Sequence, residues 1–142
     1  MSAAIELRAI LNKDIESIKK QMARRCCRAA NELRNASVRV LGGSRGGKRH
    51  RVPGTDAYYT ASSPGEPPAA RTGTFMKSWQ PSAHISGNSF ISRIESNVNV
   101  NGHNLGAILE YGTSKMAARP HHEKIQQMAL PKIIKIYEEP YL

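Results

Sequence analysis

The stretch LEYGTSKMAARPHH, residues 109–122, gathers the side chains best suited to chemistry: Glu110, Tyr111, Thr113, Ser114, Lys115, Arg119, His121 and His122. An acid, hydroxyls and an amine this close together are components of general acid–base or nucleophilic catalysis. Yet within this stretch no serine stands in G-x-S-x-G, no second carboxylate accompanies Glu110, and no nucleophile–base pair is visible. A shaped turn accounts for the same residues more simply. Gly112 permits a backbone angle that other residues resist. Glu110 can accept hydrogen bonds from nearby amides, and Arg119 can pair with a carboxylate such as Glu110. Pro120 can open a helix, where its missing N–H costs nothing. No catalytic residue is assigned.

The soft metal ligands worth testing are His103, His121, His122 and the adjacent Cys26 and Cys27. Neighbouring histidines on a helix diverge by about 100°, and neither C-x-x-C nor H-x-x-x-H occurs. The expectation is surface histidines near a helix start, with no metal and no cofactor. GGSRGGKR offers Gly42, Gly47 and Lys48 in the spacing of a phosphate loop. The next position must supply a hydroxyl, but it is Arg49, and Val52-Pro53-Gly54 leaves no room for the helix such a loop needs. Nucleotide binding is rejected.

The same segment carries Arg45, Lys48, Arg49 and Arg51. The chain of 142 residues has a formal net charge of +10. Residues 1–51 hold thirteen Lys/Arg and four Asp/Glu, 13 − 4 = +9, and residues 52–142 hold eight and seven, 8 − 7 = +1. A basic first third points to an acidic neighbour, either nucleic acid or another protein. No aromatic lies among the four cations, so base stacking is not indicated. Non-specific contact with DNA and pairing with acidic residues of a neighbour both remain open.

Hydrophobic residues are 39% and aromatics 6% of the chain. One domain with a modest core and partner-dependent loops is expected. The two cysteines cannot pair on a helix, which suits a reducing compartment. No apolar run reaches the ~20 residues of a membrane span. The N-terminus alternates apolar and charged residues, unlike a signal peptide. A soluble protein made in the cytoplasm follows.

The elements must position these residues. Leu11, Ile15, Ile18, Met22, Cys26, Ala29 and Leu33 form one narrow stripe, predicting a helix over 4–36. It is longer than so small a domain needs, so part of it should meet another subunit. Gly42-Gly43 ends any continuation. Residues 42–71 read as a long basic Gly/Pro-rich loop, with Val52 and Tyr58-Tyr59 as short extended arms. Residues 72–79 suggest a short helix capped by Thr72, or a strand. Gly87-Asn88 predicts a hairpin between SAHIS and FISRIESNVNV, whose buried face is ambiguous. Asn101-Gly102 marks another turn, and residues 105–111 a short helix. Residues 72–111 thus form a sheet with short helices. The last helix spans 120–138, kinked or split at Pro131.

Two stretches in order, SSPGEPPAARTGTFMKSW and LEYGTSKMAARPHH, resemble the small tail-completion or head–tail joining proteins of long-tailed double-stranded DNA bacteriophages, the gene-product-ten-like tail-component family. The matching residues are Pro64, Gly65, Glu66, Pro67, Pro68, Thr72 and Gly73, then Glu110, Tyr111, Gly112, Thr113, Ala118, Arg119 and Pro120. His121-His122 departs from the large apolar residue that the family places after Arg-Pro.

The resemblance implies an α+β subunit: an antiparallel β-sheet packed by a long N-terminal helix and a C-terminal helix, with a long extended loop. It implies a ring, six-fold by analogy, at the head–tail junction of the virion. There the protein completes the tail tube and joins it to the head connector or stopper protein. It implies no enzyme activity. The partners would be copies of itself, the connector, the tail tube protein and the phage DNA in the channel, with no membrane. In such a ring Arg45, Lys48, Arg49 and Arg51 would face the DNA or a neighbouring subunit. The alternative is a free, non-specific DNA-binding protein acting through its basic N-terminal third.

Overall fold

The structure is a computed structural model that describes the backbone of residues 3–141 and the side chains of residues 8–141. Helix α1 runs unbroken over Ala3–Leu41 (39 residues), about 58 Å at 1.5 Å per residue. No glycine or proline interrupts it before Gly42. The Gly42 N–H closes the last turn onto Val38 O at 2.9 Å. The helix passes the expected end at residue 36 because its apolar spacing continues. Ala36, Ser37, Val40 and Leu41 are all buried.

The two halves of α1 differ sharply. From Arg25 onward its apolar line is covered, with Cys26, Ala29 and Ala30 nearly inaccessible. Ahead of that, Ile10, Leu11, Ile15 and Ile18 continue the line at 37–58% exposure.

What covers the second half is a hairpin and the last helix. β3 (Gln80–Ser86) and β4 (Ser89–Glu95) pair antiparallel from Gln80↔Glu95 to Ser86↔Ser89. The predicted Gly87-Asn88 turn joins them, Gly87 taking φ 58°. The ambiguous face resolves through α1. Ser92 Oγ donates to Cys26 O at 2.7 Å, and Ile94 joins the core, so Ile91, Arg93 and Glu95 point outward. Helix α4 (His122–Glu138) contributes Ile125 and Ala129, which pack with Ala36 and Val40 of α1. The many small residues on α1 let these elements approach closely. Complete burial of a residue such as Ile125 contributes about 1.5–3 kcal/mol.

Arg25 pins the far end of α4. Its guanidinium is almost fully buried and donates to the carbonyls of Tyr137 (3.0 Å), Glu139 (2.6 Å) and Pro140 (2.9 Å). It also lies 3.7 Å from the Tyr141 ring centroid. The last carbonyls of a helix lack internal partners, and here a cation meets them. Arg28 adds an exposed bridge to Glu139 at 2.8 Å.

Among the described residues the remaining elements are short. β1 (Arg49–Arg51) pairs with β2 (Tyr58–Thr60), α2 is Thr74–Lys77, β5 (Asn99–Val100) pairs with β6 (His103–Asn104), and α3 is Leu105–Tyr111. Each ribbon stands as its own two-stranded sheet. The molecule is therefore α+β, with long first and last helices and small antiparallel sheets, and α1 serves as its spine. Asn101 (φ 52°) and Gly102 (φ 79°) form the β5–β6 turn, the positive angles a two-residue hairpin demands.

Three local expectations change. Thr72 does not cap α2; Gly73, at φ 83°, occupies that position. Helix α4 starts at His122 rather than Pro120, with His121 as N-cap. It also passes through Pro131 without a break. Pro131 and Gln127, whose carbonyl loses its donor, both lie on the exposed face, where water can meet that carbonyl.

Candidate functional site

The segment read as a long loop contains a ribbon. In β1–β2, Arg49 faces Thr60, His50 faces Tyr59 and Arg51 faces Tyr58. Directly opposed residues share a face. Arg49, Arg51 and Tyr58 therefore lie together, while His50 and Tyr59 meet on the reverse with ring centroids 5.8 Å apart. The Arg49 guanidinium sits 4.7 Å from the Tyr58 ring centroid. Arg51 reaches Asp56 at 3.0 Å, with both side chains largely in solvent, an arrangement worth less than about 1 kcal/mol. Lys48, Arg49 and Arg51 are all exposed. The sequence reading found no aromatic among these cations because Tyr58 arrives by pairing from the returning strand. Arg-His-Arg and Tyr-Tyr-Thr flanking the Pro53-Gly54 turn was the available signal.

The fourth cation has another task. Arg45 donates to the carbonyls of Val40 (2.6 Å), Ser44 (2.9 Å), Pro67 (2.7 Å) and Pro68 (3.0 Å). Its guanidinium ties the end of α1 to the Pro-Pro segment instead of facing outward. Glu66 completes the clamp. Its carboxylate accepts the Ser63 amide at 2.7 Å and the Gly46 amide at 3.0 and 3.1 Å. These bonds, Ser63 first, hold it below the usual carboxylate range. Gly47 N–H to Ala61 O and Ala61 N–H to Lys48 O, both 2.8 Å, close the base of the arm. Pro67 and Pro68 are buried there, while Pro64 and Thr72 are exposed.

The two stretches that carry the family resemblance meet at this base. Gly65 N–H donates to Ala118 O at 3.2 Å, and Arg119 Nε donates to Ser62 Oγ at 2.8 Å. Arg119 does not pair with Glu110, as the sequence had suggested. The Arg119 N–H also holds Leu109 O at 2.6 Å, bringing the two arms of the 109–122 turn together. Gly112, at φ 76°, leaves no space for a side chain; a Cβ there would lie 2.8 Å from Ala118 N. Thr113 and Met116 form a bridge, and Tyr111 stands 79% exposed.

Glu110 caps α4. Its Oε2 accepts the amides of His121 (2.8 Å) and His122 (3.2 Å). Burial works to raise its pKa, but the two amides and the nearby histidines outweigh that and leave it below the usual range. His121 is fully buried, contrary to the expected surface histidine. Its Nδ1 lies 3.0 Å from Arg119 O and 3.2 Å from Glu110 Oε2, two acceptors that assign the proton to Nδ1. Burial pushes its pKa down, with His122 adding to the effect. Phe75, Trp79 and His122 surround it edge-on at 5.7, 5.9 and 4.6 Å. Glu110, His121 and His122 place donor atoms within 4.8 Å of one another, a grouping the sequence spacing did not reveal. Glu110 Oε2 and His121 Nδ1 serve the start of α4, while His121 Nε2 is buried with no hydrogen-bond partner among the described residues.

A cleft of about 610 Å³ lies beside this turn, floored by Leu33, Trp79, Ile94 and Ile125 and edged by Tyr111 and His122. Among the described residues, no helix is long and apolar enough to cross a membrane. No family model, curated protein or solved structure matches this chain.

Proposed function

We propose that the protein is a non-enzymatic structural component of a tailed-phage virion. It would close a ring at the head–tail junction, complete the tail tube and join it to the head connector. The carrying observation is the half-covered spine. Ile10, Leu11, Ile15 and Ile18 extend, uncovered, the line that the molecule's own α4 and hairpin cover further along. A contiguous apolar face on a basic, polar chain marks a protein contact. The clamped arm and the 79%-exposed Tyr111 are further surfaces built for neighbours. The two resembling motifs lock together at the arm's base, so on this reading they shape an assembly element rather than a catalytic one.

The experiment is made in the virus that encodes the chain. Purified virions should contain it at the neck, and a null mutant should accumulate full heads apart from tails that lack their head-proximal end. The variant Leu11→Ser/Ile15→Ser/Ile18→Ser should fold with stability changed by less than about 0.5 kcal/mol per exposed site, yet fail to enter particles. Joined, infectious particles from the null mutant would refute the proposal.

A further inference from the structure

The arm carries Lys48, Arg49 and Arg51 against one carboxylate, Asp56, and the chain itself is poorly supplied to add more. Each copy brings a net charge of +10. Its carboxylates are already occupied at several points: Glu66 and Glu110 by amides, Glu139 by Arg28, Asp56 by Arg51 and Glu95 by Arg93. Copies gathered into a ring would repel one another unless a polyanion lay among them.

The geometry of the arm says which polyanion. Arg49 and Arg51 are two residues apart on one face of a strand, about 6.7 Å along it, comparable with the separation of successive phosphates on a nucleic-acid strand. The Arg49 guanidinium lies over the Tyr58 ring, 4.7 Å from its centroid, and a guanidinium carries the fork of N–H groups that matches a phosphate. Arg51 Nε donates to Thr55 O at 2.5 Å, which anchors the side chain at the turn, and its exposed bridge to Asp56 is weak enough for a phosphate to displace. Arg49 lies over the Tyr58 ring and His50 sits tilted beside Tyr59, so both tyrosines engage the ribbon's own side chains. A two-stranded ribbon also has the dimensions a duplex groove admits. The clamp of Arg45 and Glu66 holds the ribbon's base and reduces the ordering cost on binding.

We infer that the β1–β2 arm is a duplex-DNA contact, in which Lys48, Arg49 and Arg51 bind backbone phosphates without reading sequence. This deepens the proposed function by naming the arm's partner, and rests on that reading for the ring and for the source of the duplex.

The test is fluorescence anisotropy of the full chain with two unrelated labelled duplexes, a single strand of equal length, and polyglutamate, across a salt series. The duplexes should bind equally and more tightly than either other probe. Each phosphate contact contributes about 0.9 to the log–log salt slope. The variant Lys48→Ser/Arg49→Ser/Arg51→Ser should therefore flatten the slope by about 2.7. That is roughly a 40-fold smaller loss of affinity between roughly 50 and roughly 200 mM salt. Lys13→Ser/Lys20→Ser/Arg24→Ser on α1 removes the same charge and should change the slope by less than half as much. Equal effects from the two variants, preference for the single strand or polyglutamate, or no duplex binding would overturn the inference. The two readings fail separately. A neck protein with a DNA-silent arm still joins heads to tails, whereas a DNA-binding arm on a protein absent from virions removes only the neck.

Discussion

Substituting Gly47 by alanine tests whether the arm is a separately held unit. A Cβ at Gly47 would lie 2.3 Å from Ala61 O and 2.9 Å from Ala61 C, where ordinary contact begins at 3.4 Å. Both obstructing atoms are backbone, so no side chain can swing aside. The strands must part by roughly 1 Å, which stretches two 2.8 Å hydrogen bonds, Gly47 to Ala61 and Ala61 to Lys48, beyond bonding range. At about 1 kcal/mol each, the loss is about 2 kcal/mol, or roughly a 30-fold increase in local opening. Native-state hydrogen exchange should show that fall at the Ala61 amide and along β1–β2, while the global unfolding midpoint hardly moves. Gly46→Ala is the control, since its Cβ would meet nothing closer than 3.5 Å. Unchanged arm protection in Gly47→Ala, or a global loss as large as the local one, would refute the reasoning.

Two other perturbations probe the body. Arg25→Leu removes three buried bonds to the end of α4 and should cost about 3 kcal/mol, read as a lower urea midpoint with an unchanged slope. Acid sensitivity should come first from His121, whose pKa is depressed from 6.5 by burial. Below 6.5 the unfolded chain takes up a proton that the folded chain refuses, so stability falls with pH until the buried ring itself protonates. Glu110, depressed from 4.5, adds a second loss at lower pH as its carboxylate is neutralised. Thermal melts across pH should show both steps, and His121→Phe should remove the first.

The regular elements were legible because each rests on a local rule. The stripe from Leu11 to Leu33 announced α1, and Gly87-Asn88 and Asn101-Gly102 announced their turns, since periodicity and turn chemistry act over a few residues. The α+β class, which the family resemblance implied, is the class the structure has. What the sequence concealed depends on contacts between distant segments. Arg45 looked like one of four equivalent loop cations, and only the approach of Pro67 and Pro68 makes it a clamp. Arg119 looked like a partner for Glu110, but the α4 amides reach that carboxylate first. His121 looked exposed because nothing nearby in sequence tells that Phe75 and Trp79 will enclose it. Tyr58 joined the cations only through strand pairing.

The bond from Arg25 to the carbonyls of residues 137–140 spans 112 to 115 positions of the chain. During synthesis, α1 leaves the ribosome before the hairpin and α4 that cover its apolar line. At about 5–20 residues per second, Arg25 waits on the order of 6–23 s for the carbonyls it holds. Until the hairpin and α4 arrive, the second half of α1 is as uncovered as its first, so the nascent chain is open to premature association along one continuous apolar line, and holding chaperones should engage residues 10–41 during that interval.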